Sequence, residues 1–150
     1  MQREEFERRI RGLLPQASKA ALDSFSELAE EPEVQETMGS SDFYDTLYVD
    51  LALVKRDYGE NIAVELFNYG EQYPFNPFEL RGAARLMAGG WTTEQISGYM
   101  IEHGFEEPFC AYTPEEEAES EALLWSFQHG REDLPGLDLP ESPAQQFGGM

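Results

Sequence analysis

The fold is decided most clearly by residues 76–104, which read NPFELRGAARLMAGGWTTEQISGYMIEHG. Asn76 is a favourable N-cap and the proline after it suits the first helical position, so a helix is predicted from Phe78 to Ala88. Two glycines then end that helix. The pattern Thr92-Thr-Glu-Gln95 is typical of a capping box, which predicts a second helix that closes at His103-Gly104. These residues therefore indicate two helices joined by a glycine turn.

Apolar residues at helical spacing continue on both sides of this pair, separated by glycine and proline. A second capping box, Thr113-Pro-Glu-Glu116, opens the last predicted helix. The further predicted helices are Arg3–Leu14, Gln16–Glu30, a helix from Ser41 or Asp42 to Tyr58, Asn61–Tyr69, and a last helix from the second capping box to His129. Tyr48 to Val54 and Phe105 to Tyr112 are also compatible with strands, but neither alternates cleanly between polar and apolar residues. The sequence therefore predicts a compact all-α bundle of six or seven short helices.

Length and composition predict one domain. The chain has 150 residues, of which 41% are hydrophobic and 13% aromatic, and this is enough for a single core. We expect residues 1–130 to form one acidic helical domain. Residues 131–150 contain three prolines and three glycines, which favours an extended or disordered tail. The single cysteine excludes an intrachain disulfide and fits a reducing cytosol, and no segment has the apolar length of a membrane span.

The charge of the chain limits the classes of function that we expect for it. It carries 30 Asp and Glu against 10 Lys and Arg, a formal net charge of −20. Residues 86–150 hold thirteen acidic side chains and one basic side chain, Arg131. Solubility needs far less charge than this, and self-repulsion opposes the compact state. Bare nucleic acid and anionic membranes would repel the chain, so the expected partner is a basic nucleic-acid-binding protein.

The acidic residues of the last helix are the main candidate contacts. Carboxylates three or four residues apart on a helix lie roughly 5–6 Å from each other, which is near the spacing of successive phosphates on a nucleic-acid strand. The candidate contacts are Glu115, Glu116, Glu117, Glu119 and Glu121, with Asp42, Asp45 and Asp50 as a second patch. Tyr112 and Phe127 flank this helical ladder of acids, and Trp125 is expected in the core.

This pattern predicts an inhibitor that imitates nucleic acid. The protein would occupy the cationic groove of a nuclease or CRISPR effector and exclude its DNA or RNA. Small acidic proteins without catalytic motifs, which phages and mobile elements direct against restriction or CRISPR nucleases, are of this anti-restriction or anti-CRISPR type. The expected location is then the cytoplasm of the host cell. We expect no enzymatic activity and no cofactor, and the sequence leaves open whether the chain forms a homodimer.

Two alternative functions stay open. An acidic helical adaptor or assembly protein would bind its partners through an aromatic patch. The aromatic candidates are Tyr69, Tyr73, Phe75 and Phe78, or Phe147 in the tail. An enzyme would need Cys110 as a nucleophile near His103, although a buried, inert thiol is the simpler expectation.

Other binding chemistries lack their motifs in this sequence. It has no HExxH, no CxxC pair and no EF-hand loop, so no metal site is predicted. Residues 80–104 resemble a helix-turn-helix in outline, but the second helix offers no lysine or arginine to DNA, and a packed helical hairpin is expected instead. His103 and His129 each precede a glycine and are expected to satisfy carbonyl groups at helix ends.

Overall fold

The computed structural model describes residues 1–38, 40–75, 77–103 and 110–130. This part of the chain forms eight α-helices and one 3₁₀ turn, without a strand. The helices are α1 Arg3–Leu13, α2 Lys19–Ala29, α3 Pro32–Met38, α4 Ser40–Tyr58, α5 Glu60–Asn68, α6 Leu80–Ala88, α7 Thr93–His103 and α8 Pro114–Gln128, with the 3₁₀ turn Tyr69–Glu71 after α5. The predicted compact all-α fold is confirmed. The predicted cap Asn76 and the predicted tail 131–150 lie outside the described residues.

Several local predictions need correction: α2 begins at Lys19 and not at Gln16, and α6 begins at Leu80 and not at Phe78, so the proline before Phe78 lies in a turn. Helix α3 was not predicted; it begins at Pro32, two residues after the predicted end of the preceding helix at Glu30. The ambiguous segment Tyr48 to Val54 lies inside α4 and is helical. Helix α4 begins at Ser40, one residue before the earliest predicted start. Of the second ambiguous segment, residues 110–112 form no strand and residues 105–109 lie outside the described part.

Helix α4 is the central element of the bundle. Helices α1, α2, α3, α5, α6 and α8 all contact it. A helix that is apolar on every side is suited to such a position, since each face meets another helix. The buried apolar residues of α4 are Phe43, Tyr44, Leu47, Tyr48, Val49, Leu51, Ala52, Leu53 and Val54. Two acidic residues of α4, Asp45 and Asp50, are buried with them.

The predicted capping residues fix the starts of α7 and α8. At the start of α7, the Gln95 N–H donates to Thr92 Oγ1 at 3.1 Å, and the Thr92 N–H donates to Gln95 Oε1 at 2.9 Å. Thr113 and Glu116 make the same reciprocal pair at the start of α8. Both predicted capping boxes are therefore confirmed. Neither α7 nor any other described helix is long and apolar enough to cross a membrane.

Helix α6 is pressed closely against the segment that leads into α8. A Cβ atom added at Gly82 would overlap the carbonyl oxygen of Cys110, so this helical position accepts only glycine. Gly98, inside α7, has no other atom within 4 Å of an added Cβ. Both glycines therefore lie inside helices, but Gly82 is in close contact with another segment and Gly98 has open space beside it.

The pair Gly82→Ala and Gly98→Ala tests this close approach. Alanine favours a helix by about 1 kcal/mol over glycine, so Gly98→Ala should raise the free energy of unfolding by up to that amount. Gly82→Ala should lower it by about 1–3 kcal/mol despite the same gain, because the segment at Cys110 must move away. Urea denaturation of both variants measures the difference. Equal stabilisation by both substitutions would contradict the predicted close packing.

Candidate functional site

Helix α8 carries the five candidate glutamates, and its contacts divide them into two groups. Glu116 and Glu119 point toward the bundle, where they meet arginines of α4 and α6. Glu115, Glu117 and Glu121 are exposed. The predicted ladder of five equivalent carboxylates is therefore split between an inner edge and an outer face of α8.

Arg81 is the buried centre of the inner edge. Its side chain is 4% exposed. One terminal nitrogen, Nη1, donates to the Glu116 carbonyl oxygen and to Ser120 Oγ, both at 2.9 Å. The other, Nη2, donates to Glu119 Oε1 at 2.8 Å and to Asp57 Oδ2 at 3.4 Å. Arg81 on α6 thus joins α8 to the end of α4 and is well supplied with acceptors, as a buried guanidinium requires.

Two further arginines neutralise the same edge. Arg56 Nη1 lies 2.9 Å from Glu119 Oε2, and Arg85 Nη1 lies 2.6 Å from Glu116 Oε1. Hydrogen bonding to Arg56, helped by Arg81, lowers the pKa of Glu119 below its ordinary value. Glu116 and Glu119 are therefore committed to contacts within the chain and add little to the exposed negative surface.

The outer face of α8 remains uncompensated. Glu115, Glu117 and Glu121 make no ion pair with any residue that the structure describes. Trp125, on the same helix, is 58% exposed, so its predicted place in the core is wrong. Its ring stacks on His129 with centroids 3.9 Å apart. The outer face of α8 is thus acidic and ends in an exposed aromatic pair.

Two of the three aspartates predicted for the second acidic patch, Asp45 and Asp50, are buried in α4. Asp45 lies 2.8 Å from the amino group of Met1 and accepts a hydrogen bond from Gln128 Nε2 at 3.2 Å. Asp50 is 1% exposed. The side chain of Asp42 lies outside the described part of the structure. Neither buried aspartate contributes to an exposed acidic surface.

Asp50 has few hydrogen-bond donors for a buried carboxylate. Asp50 Oδ2 lies 2.8 Å from the Tyr112 hydroxyl, and Oδ1 has no hydrogen-bond partner. The same hydroxyl contacts the Pro77 carbonyl oxygen, so its single proton cannot serve both acceptors. Burial raises the pKa of Asp50 to about 6, although Tyr112, Ser120 and Arg81 oppose the shift. Burial and the neighbouring carboxylate likewise raise the pKa of Tyr112.

A cavity of about 480 Å³ opens beside Asp50, between α4, α8 and the segment before α8. Its apolar wall contains Val49, Leu124 and Phe78, and its polar lining includes Glu117 and Glu121. Since Asp50 is buried whereas both glutamates are exposed, Asp50 lies at the inner end and the glutamates at the mouth. This cavity could not be predicted from the sequence, because the residues of its walls are spread from position 46 to position 124.

The described residues of the predicted aromatic patch do not form an exposed surface. Phe75 is fully buried, and Tyr69 and Tyr73 pack against the core, where the Tyr69 hydroxyl is 2.8 Å from Ser97 Oγ. Phe78 alone of the four described candidates is largely exposed, at 56%. Phe147 lies outside the described residues. The four described candidates therefore do not form a contiguous exposed aromatic face, and the alternative through Phe147 stays a prediction.

Cys110 and His103 do not share an environment. The Cys110 thiol is buried 3.7 Å from Met100 Sδ, and burial raises its pKa to about 12, which keeps it protonated and unreactive. His103 is exposed and stacks on Tyr99, with Nδ1 3.1 Å from the Tyr99 carbonyl oxygen. His129 repeats this geometry with Trp125, at 2.8 Å. Both histidines thus take the predicted helix-end role, and the described residues contain no cluster of three metal-ligating side chains.

Replacing Arg81 by methionine tests the dependence of α8 on this one residue. Arg81→Met leaves inner acceptors without their donor, so the free energy of unfolding should fall by about 3 kcal/mol or more. Arg11→Met is the matched control, because Arg11 is exposed and makes no ion pair with a described residue; it should change stability by less than about 0.5 kcal/mol. Hydrogen exchange should show α8 losing protection first in Arg81→Met. Uniform loss across all helices would contradict a local role.

Asp50→Asn tests the burial of an ionisable carboxyl group. The folded-state pKa of about 6 is above the ordinary aspartate value of 3.8, so folding favours the protonated form and the native state loses stability as pH rises from about 4 to about 6. The difference corresponds to about 3 kcal/mol. Asp50→Asn should match the wild type at pH 4 and exceed its free energy of unfolding by up to that amount at pH 7. The exposed control Glu115→Gln should show no such pH-dependent gain, and a constant Asp50→Asn difference from pH 4 to 8 would refute the assignment.

Comparison with known proteins adds no family to this description. No protein-family model, no curated protein and no solved structure matches the chain. Similarity therefore assigns neither a family nor an activity, and the functional argument depends on the charges, contacts and cavity described above.

Proposed function

We propose that this protein is an acidic inhibitor that binds the cationic groove of a nucleic-acid-binding enzyme by imitating nucleic acid. The target class is a nuclease, of the restriction or CRISPR effector type, and binding would exclude its DNA or RNA. A phage or mobile element is the expected source, and the host cytoplasm the expected place of action. The proposal concerns protein binding, without catalysis and without direct contact to nucleic acid.

The distribution of cations is the observation that carries this proposal. Most described lysines and arginines are paired with carboxylates of the same chain. The paired cations are Arg3, Arg8, Arg9, Lys19, Lys55, Arg56, Arg81 and Arg85. Among the described cations Arg11 is the exception. These cations are thus taken up by individual ion pairs and are not interspersed among the carboxylates on the outer face of α8. In a chain with a net charge of −20, that face remains acidic.

The outer face of α8 has the chemistry that a mimic needs. Glu117 and Glu121 are one helical turn apart and both exposed, so their carboxylates form a repeat comparable to neighbouring phosphates. Trp125 follows one turn later and offers a flat, exposed ring as a base would. A cationic groove would gain from both features, since arginine pairs with carboxylates and also stacks on aromatic rings.

The alternative of an acidic adaptor has less support. Its proposed binding residues Tyr69, Tyr73 and Phe75 are used in the core of this protein. A partner that relied on them would have to open the bundle. The inhibitor proposal relies instead on residues that are exposed in the folded chain.

The experiment measures DNA cleavage by a panel of purified restriction and CRISPR nucleases with and without this protein. The outer-face variant is Glu115→Gln, Glu117→Gln and Glu121→Gln combined. The control variant combines Glu27→Gln, Glu30→Gln and Glu31→Gln, which removes the same charge from another exposed acidic segment. Against an inhibited nuclease, the outer-face variant should bind about tenfold or more weakly, and the control should bind much as the wild type does.

Salt and DNA competition decide whether the inhibition is mimicry. Binding should weaken steeply between 0.1 and 1 M salt, because the screening length falls from about 10 Å to about 3 Å. DNA and the inhibitor should exclude each other from the nuclease. A ternary complex with bound DNA, binding that survives 1 M salt, or equal loss in both triple variants would each reject the proposal.

A further inference from the structure

The cavity beside Asp50 joins a buried carboxylate and an apolar wall, which the proposed inhibitor function does not use, to Glu117 and Glu121, which that function does use. Its inner end holds a carboxylate whose Oδ1 is buried and has no hydrogen-bond partner, its wall is apolar, and its mouth carries two exposed glutamates. We propose that this cavity binds an alkylammonium cation, with the ammonium group at Asp50 and the alkyl chain along Val49 and Leu124. This inference is independent of the nuclease proposal.

The need for a cation follows from the donors around Asp50. The nearby guanidinium of Arg81 directs both terminal nitrogens to other acceptors, on Glu116, Ser120, Glu119 and Asp57. Tyr112 has one proton for two acceptors. A buried carboxylate of which one oxygen has no donor is costly, and an ammonium group at that oxygen would supply three N–H donors and a positive charge.

The surroundings favour an organic ammonium ion over a metal ion. Calcium and magnesium bind through six or more oxygen ligands, whereas no three metal-ligating side chains cluster in the described part of the chain. The apolar wall of Val49, Leu124 and Phe78 suits a methylene chain, which lysine and alkylamines carry next to the charged head. Glu117 and Glu121 at the mouth would favour a second positive charge at the outer end of the ligand.

The charges around Asp50 predict a pH-dependent affinity. Arg81 on α6 favours its ionised form, Glu116 on α8 opposes it, and Tyr112 from the preceding segment donates to it. The ammonium ion binds the ionised carboxylate only. With a pKa of about 6, about a tenth of Asp50 is ionised at pH 5 and about nine-tenths at pH 7, so affinity should rise about tenfold across this range.

The binding experiment uses the full chain in 150 mM NaCl and three small probes. They are 1,4-diaminobutane, n-butylamine and 1-butanol, which share an alkyl chain and differ in charge. The methyl signals of Val49 and Leu124 and the carboxyl signal of Asp50 report the site by NMR, so that loose association with the acidic surface is not counted. Diaminobutane should bind most tightly, butylamine less tightly, and butanol should not bind at the same concentrations.

Substitutions of residues that line the cavity then test where the ammonium group binds. Asp50→Asn should weaken both amines about tenfold or more, since a charged hydrogen-bond partner is lost. Glu117→Gln with Glu121→Gln should weaken diaminobutane more than butylamine. Glu115→Gln is the matched control, because this exposed glutamate lies on the same helix and does not line the cavity; it should leave both affinities within about twofold. If Asp50→Asn fails to fold, the mouth variants and the pH dependence still decide the question.

The natural source of the ammonium group is distinguished by one more probe. Nα-acetyl-lysine methylamide presents a lysine side chain without a free α-amino group. Tighter binding of this compound than of diaminobutane indicates a lysine of a protein partner, and the reverse order indicates a free diamine or polyamine. Equal shifts of the cavity methyl groups by butanol and butylamine, or equal effects of Glu115→Gln and the mouth variant, would overturn the proposal. These tests measure amine binding directly, so their outcome does not depend on whether the protein inhibits a nuclease.

Discussion

The position of α8 depends on the buried guanidinium of Arg81. This helix buries little apolar surface, and Leu123 is its one side chain that lies wholly within the core. Arg81 instead holds it through the Glu116 carbonyl oxygen, the Ser120 hydroxyl and the Glu119 carboxylate. Because each of these acceptors lies on the same edge, the contact also fixes the rotation of α8 about its axis. That rotation decides which glutamates face solvent and places Glu117 and Glu121 at the mouth of the cavity.

The same contact explains how a chain of such high charge folds. A buried arginine is tolerated only with several acceptors, and this chain has acidic residues in excess. Arg56, Arg81 and Arg85 gather Asp57, Glu116 and Glu119 into one network between α4, α6 and α8. These three cations are thereby neutralised at helix contacts, and the outer-face carboxylates Glu115, Glu117 and Glu121 stay exposed. The same distribution of charge therefore holds α4, α6 and α8 together and leaves the exterior acidic.

The sequence predicted the helices well because caps and glycines act locally. Thr92, Thr113 and Gly59 each mark a helix end through their own neighbours. The sequence predicted the candidate functional site poorly. Helical spacing shows which residues share a face of a helix, but it does not show which residues pack against that face. Glu116 and Glu119 belong to the predicted ladder, yet Arg81 and Arg85, more than 30 positions away, neutralise them. The burial of Asp50 had a signal in the unbroken apolar run from Leu51 to Val54, which a helix covered on all sides requires.

Asp50 is the residue whose identity the fold does not explain. Asparagine has nearly the same shape, would accept the same hydrogen bond from Tyr112, and would avoid burying a charge of which one oxygen has no partner. A chain selected for stability alone would therefore gain from that single change. A buried carboxyl group with a shifted pKa that lies beside a cavity is a candidate for a functional site. The cavity next to Asp50 gives the charge a use, since the cation that would satisfy it must enter between the same two glutamates that face outward from α8.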